Sequence, residues 1–288
     1  MKMLTYAITG ANGQLGSYLV SYLRKNGHIV YELTRSPEKA QDKNYYKYFD
    51  LANPRKISSL QNIDVLIHAA YFFDATNKEY STINILGTQK LFQQAKTDNV
   101  KYPIFISTIS AYETARSLYG QTKYKIEKLL KLENENVTII RPGLIFHTPL
   151  QGITAAMDNF IKKYPVVPLI GCGKQLINPC RLEELAPVLY NISIYQPFVK
   201  HPIVAASEQS MTFKELVKYL AGKRNKKIKL ISIPFFMIYL MLKVTELLKL
   251  PIGLRSDSLL GLQYANSNLD FSETRNLNFN FSELSVDR

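Results

Sequence analysis

Short apolar runs alternate with stretches of helical periodicity through the first half of the chain. "MLTYAITG" is a β-rich run that closes on Gly10, and "QLGSYLVSYLRKNG" repeats its apolar positions at helical spacing before a glycine stop at Gly27. "HIVYELTR" predicts the next strand. "DVLIHAA" is apolar throughout, as a strand covered on both faces must be. "YSTINILGTQKLFQQAKT" predicts a long helix, "YPIFIST" a strand, "YGQTKYKIEKLLKLENE" a helix and "VTIIRPG" a strand. Strand and helix in regular alternation predict an α/β fold, a doubly wound parallel sheet with helices on both faces.

The rhythm weakens after about Pro149. Glycine and proline punctuate "KKYPVVPLIGCGKQLINPC", and helical patterns follow near 181 to 192, 212 to 222 and 235 to 249. The expected organisation is a dinucleotide-binding domain over residues 1–150. A smaller, mostly helical, substrate-binding lobe over 151–288 returns in part to the main domain. The apolar run "LISIPFFMIYLML" (230 to 242) is bounded by Lys229 and Lys243. It is shorter than the ~20 residues that span a bilayer, and Pro234 suits the first turn of a following helix. It reads as a buried helix in preference to an amphipathic one lying on a membrane surface.

Composition changes this picture little. The 288 residues are 46% hydrophobic and 20% charged, as in an ordinary globular protein. Met1 runs straight into a strand pattern without a charged leader, and the two cysteines, Cys172 and Cys180, match no metal or redox spacing. A reducing cytoplasm is the expected location. The formal charge of +13 raises nucleic acid as a partner. The cations are scattered, however, with "KRNKK" (223 to 227) the one dense cluster, so lysine-coated helices are the expectation and nucleic acid is not. Positive charge also suits a phosphorylated cofactor or an anionic substrate.

Candidate chemistry begins at "ITGANGQLG", where the first strand meets the first helix. Gly10 allows a tight turn, Gly13 leaves room for backbone to approach a pyrophosphate, and Gly16 lets the helix pack closely. The pyrophosphate then meets the positive helix terminus. The spacing is Gly-x-x-Gly-x-x-Gly, not the general Gly-x-Gly-x-x-Gly fingerprint. At the end of the second strand stands Arg35, where an acidic residue would bind a ribose 2′-hydroxyl and an arginine can pair with a 2′-phosphate. NADP is therefore expected over NAD, with Glu32, inside the strand, as the competing candidate. "YGQTK" stacks Tyr119 and Lys123 on one helix face. With 19 Tyr and 36 Lys plus Arg, the pattern alone does not separate a surface pair from an acid–base device.

Seven motifs in order resemble the extended short-chain dehydrogenase/reductase superfamily, of the NAD-dependent epimerase/dehydratase type, over about residues 4 to 190. "TGANGQLG" resembles its cofactor loop, so the resemblance assigns Gly10, Asn12, Gly13, Gln14, Leu15 and Gly16 to the cofactor. "FDLAN" places Asp50 and Leu51 at the adenine. "DVLIHAAY" sets Ala69, Ala70 and Tyr71 along the cofactor. "INILGTQKL" makes Asn84 a structural anchor, and "IIRPG" puts Pro142 beside the nicotinamide. "ISTISAY" and "YGQTK" supply the catalytic residues: Tyr119 as acid–base, Lys123 as its partner and ribose ligand, and Thr108 as the hydroxyl that meets the substrate oxygen. Thr108 is identified four positions before Tyr112, with Ser107 and Ser110 as fallbacks, and Ser110 also as a substrate contact. "IGCGKQLINPCRLEELAPVL" resembles the segment that meets a nucleotide diphosphate, making Arg181 a phosphate candidate with Lys174 behind it.

The implied activity is NADP-dependent keto-reduction or C4 epimerisation of a nucleotide-activated sugar, by a Rossmann-like fold. An ammonium beside Tyr119, together with a positively charged nicotinamide, is expected to favour the phenolate. Dehydration is argued against, because Ile109 and Ser110 stand where 4,6-dehydratases carry Asp-Glu. The Tyr112 to Tyr119 link is shorter than the family's. Alternatives are a reductase of another carbonyl or lipid-like substrate, with peripheral membrane contact, and a non-catalytic NAD(P)-binding protein. The resemblance also implies a homodimer through the helices near 79 to 97 and 119 to 134. His68 is read as structural, and Cys172 as a small filler.

Overall fold

Every strand pattern of the first half is realised, and its alternation sorts side chains onto two faces. The computed structural model describes residues 3–73, 79–133, 136–150, 152–197, 199–248, 250 and 255–284. The chain runs β1 (Thr5–Thr9), α1 (Gln14–Lys25), β2 (Ile29–Thr34), β3 (Tyr46–Tyr48), β4 (Val65–His68), α2 (Tyr80–Thr97), β5 (Tyr102–Ile106), α3 (Leu118–Glu133) and β6 (Thr138–Pro142). It continues through β7 (Leu144–Phe146), α4 (Gly152–Lys163), β8 (Val166–Ile170), β9 (Leu176–Ile177), β10 (Pro179–Arg181), α5 (Leu182–Tyr195) and β11 (Ile203–Ala205). Last come β12 (Met211–Thr212), α6 (Phe213–Lys223), β13 (Lys229–Ile233), α7 (Phe235–Leu247), α8 (Ser256–Gln263) and α9 (Ser272–Asn276).

Seven strands form one sheet in the order β11-β6-β5-β4-β1-β2-β3, and every pairing in it is parallel. Along each strand, residues two apart share a face. Tyr6, Ile8, Val65, Ile67, Ile104 and Ile106 meet α1 and α5 on one side. Ala7, Leu66, Phe105 and Ile139 meet α2 and α3 on the other. This is the doubly wound α/β architecture that the alternation predicts. Strand order reverses between β1 and β4, so a crevice opens at their carboxyl ends, and the glycine loop lies there.

A third core gathers Phe146, Ile161, Val167, Leu169, Leu216, Leu220, Ile238, Leu242 and Leu259 from the later elements. Meanwhile α5 packs on the main sheet and β11 extends it through β6. In α6 the helix start is secured by a capping box between Thr212 and Glu215.

The buried-helix expectation for residues 230 to 242 is overturned. Lys229–Ile233 is a strand paired with β8, and only Ile238 and Leu242 of α7 are buried. Those two lie one turn apart and reach the third core, while the opposite side of α7 faces outward with Phe236, Met237, Leu240, Met241, Val244 and Leu247. The run carries too many large apolar residues for a single contact face to cover. Among the described residues no helix is long and apolar enough to cross a membrane. The basic cluster at 223 to 227 works largely within the chain. Arg224 pairs with Asp158, and Lys226 donates to the carbonyls of Ile161 and Lys162, both at 2.6 Å, at the end of α4. Cys172 is exposed, so it fills no core position.

Candidate active site

The glycine loop is held by backbone contacts that admit no side chain. Gly10 has φ +70°, and a Cβ there would lie 2.9 Å from Ala69 C and Ala70 N. A Cβ on Gly16 would lie 2.2 Å from the Gly10 carbonyl oxygen, so Gly16 packs α1 against the loop itself more than against the sheet. Gly13, exposed, is the N-cap of α1; no side chain caps that helix and no acidic residue stands in its first turn. Its N–H groups and positive end are thus open to an anion. Gln14 Nε2 is buried without a protein partner, and Leu15 anchors the turn in the core. These features fit a dinucleotide pyrophosphate.

The loop is fixed to its neighbours. The Thr34 hydroxyl accepts from Ser36 N–H at 3.0 Å and from Asn12 Nδ2 at 3.3 Å. The Thr9 hydroxyl accepts from Ala69 and Ala70 N–H, both at 3.1 Å, so its own proton goes to His68 Nδ1 at 2.6 Å. His68 Nε2 then donates to Thr88 at 2.9 Å. Burial holds this imidazole's pKa well below its usual value, and the neutral ring is a structural link. Asn84 donates to the carbonyls of Phe72 and Tyr80 and accepts from Phe72 N–H, fixing the segment after β4.

Arg35 is exposed one residue beyond β2, whereas Glu32 is fully buried. The Glu32 carboxylate pairs with Arg24 at 3.1 Å and accepts from Gln41 N–H at 2.9 Å. It is therefore committed to the fold and turned from any ribose. Asp50 accepts from Ala52 N–H at 3.0 Å, and Leu51 is buried beneath α2, where bare Gly87 lets the helix approach its backbone.

Thr108, Ser110 and Tyr119 line one cavity of about 670 Å³, which also reaches Gln14 of the glycine loop. Burial pushes the Tyr119 phenol up to about 12, and the neighbouring Thr108 hydroxyl acts against the rise. The phenol therefore holds its proton in this structure. The Tyr119 ring sits edge-on to Tyr71 at 4.9 Å and stacks on Phe73 at 5.5 Å. Tyr71 is itself held by burial well above the ordinary tyrosine range. Gly120 is required where α3 approaches the Thr108 loop, since a Cβ there would lie 2.3 Å from the Ser110 carbonyl. Pro142 ends β6 and its carbonyl accepts from Ile109 N–H at 3.1 Å, next to Gly143 on the cavity wall. Ser107 is buried with its hydroxyl unpartnered, behind Thr108.

Lys123 is buried, donates to the Ile106 carbonyl at 2.7 Å, and lies 4.6 Å from the Phe105 ring centre and 5.1 Å from that of Tyr71. Burial pushes its pKa down to about 7 from 10.5, with Glu127 acting against the fall. Between those values the unfolded chain holds a proton that the folded chain lacks, so stability rises with pH across that window. Relative to Lys123→Met, the parent protein is expected to gain stability between pH 7 and pH 9 by about 1.4 kcal/mol per unit. Urea midpoints of both proteins at the two pH values measure this; parallel shifts would contradict it.

Asp257 was not foreseen: its carboxylate accepts from Leu118 N–H at 2.6 Å and Tyr119 N–H at 3.1 Å. It caps α3 from α8, and nothing in a local pattern signals a cap 138 residues away from Tyr119. Arg255 stands over Phe73 at 5.3 Å, also at the cavity wall. Arg181 is not brought to this site. It does not line the cavity, and its guanidinium donates to the Glu283 carbonyl at 3.2 Å, bound to the C-terminal segment. Lys174 is exposed away from the lining. Much of the remaining wall is apolar, with Leu144, Ile145, Met157, Phe213, Leu216 and Leu262, while Arg116, Lys243 and Arg255 bring positive charge.

A model of the NAD dependent epimerase/dehydratase family matches residues 6–145. The chain is 25% identical over 240 residues to a ceramide reductase of Caulobacter vibrioides (strain NA1000 / CB15N), covering 79% of this chain and 73% of that one. It is 23% identical over 257 residues to a UDP-glucose 4-epimerase of Vibrio cholerae, covering 80% and 78%. Among solved structures, MoeE5 in complex with UDP-glucuronic acid and NAD superposes with a TM-score of 0.68 at 19% identity, over 95% of this chain and 99% of that one.

Proposed function

We propose, from the premise that this chain belongs to the NAD dependent epimerase/dehydratase family through residues 6–145, that it is an NADP-dependent oxidoreductase reducing a ketone on a bulky, largely apolar substrate. The observation that carries this reading is a single cavity lined by Gln14 of the glycine loop together with Thr108 and Tyr119. A bound nicotinamide supplies the hydride. Gly10, Gly13 and Gly16 with the α1 terminus hold the pyrophosphate, Asp50 and Leu51 border the adenine, and Arg35 takes the 2′-phosphate. Ala69, Ala70, Tyr71 and Pro142 line the nicotinamide side. Thr108 orients the substrate oxygen, and Tyr119, protonated at neutral pH, donates the proton that the new alkoxide needs. Lys123, with a pKa near 7, supports that transfer from below and contacts the nicotinamide ribose.

Nucleotide-sugar reduction or C4 epimerisation is the second reading. It is favoured by Arg116, Lys243 and Arg255 on the cavity wall, which suit a diphosphate. The apolar lining and the removal of Arg181 from the site favour the first. NADPH consumption with a long-chain ketone and with UDP-linked 4-keto sugars separates the two reductions, while epimerisation, which consumes no net cofactor, is followed by chromatography of a UDP-hexose and its C4 epimer; neither consumption nor interconversion sinks both. Arg35→Asp is expected to move the NADP-to-NAD affinity ratio toward NAD by roughly tenfold or more, the loss of a charged hydrogen bond. Titration of each cofactor measures it, and an unchanged ratio removes Arg35 from the site.

A further inference from the structure

We infer that α7 is an interfacial helix that seats the protein on an anionic lipid bilayer, so that the substrate reaches the cavity from the membrane. The docking stands on α7 alone; the lipid nature of the substrate rests on the reductase reading above.

The outward side of α7 is a continuous stripe. Phe236, Leu240 and Val244 follow one another at four-residue steps, with Met237, Met241 and Leu247 beside them. All six are exposed, Phe236 at 69% and Leu247 at 82%. The stripe continues into Leu248, and Ile231 on the preceding strand is exposed as well. An uninterrupted surface of this kind is not scattered apolar residues on a polar face. Thirteen helical residues extend about 20 Å, enough to lie along a headgroup layer and too little to cross a hydrocarbon core of about 30 Å.

Charge selects the occupant. Between Lys214 and Leu248 stand eight Lys and Arg and only two Glu. Arg224 pairs with Asp158 and Lys243 with Glu246 at 3.7 Å, whereas Lys229 shares the outward face of β13 with Ile231 and Lys227 is exposed at the same turn. Apolar side chains bordered by cations match acyl chains beneath anionic headgroups. A second copy of this chain would bring the same cations against one another.

The back of the helix meets the candidate active site. Lys243 and Glu246 line the catalytic cavity. The Glu246 carboxylate accepts from Ser256 N–H at 2.7 Å and from its hydroxyl at 2.9 Å, and the next residue, Asp257, caps the helix that carries Tyr119. One helix thus has its outer side available to lipid and its inner side at the cavity. An amphiphile with its tail in the bilayer and a ketone at its head is the substrate class this arrangement admits.

The test is co-sedimentation with vesicles of phosphatidylglycerol and phosphatidylcholine, against phosphatidylcholine alone. The parent protein is expected to bind the anionic vesicles, with binding that weakens as salt rises. The double variant Phe236→Asp/Leu240→Asp is expected to bind at least tenfold more weakly with an unchanged thermal melt. In turnover, that variant should keep its rate on a short water-soluble ketone and lose it on a long-chain ketone embedded in vesicles. Absence of vesicle binding overturns the proposal, as does equal binding by the variant. A parent dimer that Leu240→Asp makes monomeric overturns it too, assigning the stripe to a second copy. Vesicle binding without any ketone reduction leaves the docking standing and removes the reductase reading.

Discussion

Tyr119→Phe is expected to lower turnover by about 10²- to 10⁴-fold, the range for removing a positioned acid, while the cofactor binds as before. The substitution deletes one hydroxyl. The ring keeps its edge-on contact with Tyr71 and its stacking on Phe73, and the backbone N–H stays capped by Asp257. Thr108 faces the cavity, so removing the neighbouring hydroxyl leaves no polar group sealed from water. Stability should therefore change by only about 1 kcal/mol. Cofactor titration and a thermal melt, run beside the rate measurement, separate lost chemistry from lost structure. A variant with the parent's rate would show that the proton comes from elsewhere.

Gly16→Ala is expected to cost about 3 kcal/mol of stability and to abolish cofactor binding. The added methyl would lie 2.2 Å from Gly10 O, 2.6 Å from Gly10 C and 2.9 Å from Ala11 Cα, all of them backbone atoms. Rotating a side chain cannot relieve that contact. The loop would have to rise, but Gly10 is already pressed against the Ala69–Ala70 peptide. Gly27→Ala is the matched control. Gly27 has φ +80° with open space around it, so only the left-handed backbone conformation is penalised, by about 1–2 kcal/mol, and cofactor binding should persist. Denaturant midpoints and cofactor titrations of both variants decide the comparison.

The sheet was legible because burial on both faces forces long apolar runs, and "DVLIHAA" could hardly be anything else. The glycine loop was legible because Gly10 and Gly16 answer to local sterics that spacing records. What was missed depends on contacts between distant segments. Whether the apolar residues after Pro234 are covered depends on how many partners fold over them, and periodicity does not count partners. Arg181 carries the right charge in the right order, yet Glu283, 102 positions later, takes its guanidinium. The desolvation of Tyr119 depends on distant segments in the same way. A sequence shows the lysine one turn away but not the surroundings whose burial raises the phenol.

Asp257 also sets an order of assembly. The N–H groups that begin the catalytic helix stay unsatisfied until a carboxylate arrives from the far end of the polypeptide. During synthesis the parallel sheet can form, and its cofactor crevice with it, before that carboxylate has left the ribosome. A nascent chain at that stage has the dinucleotide crevice but not a capped α3, so on the proposed reading the proton donor is seated only once Asp257 has docked.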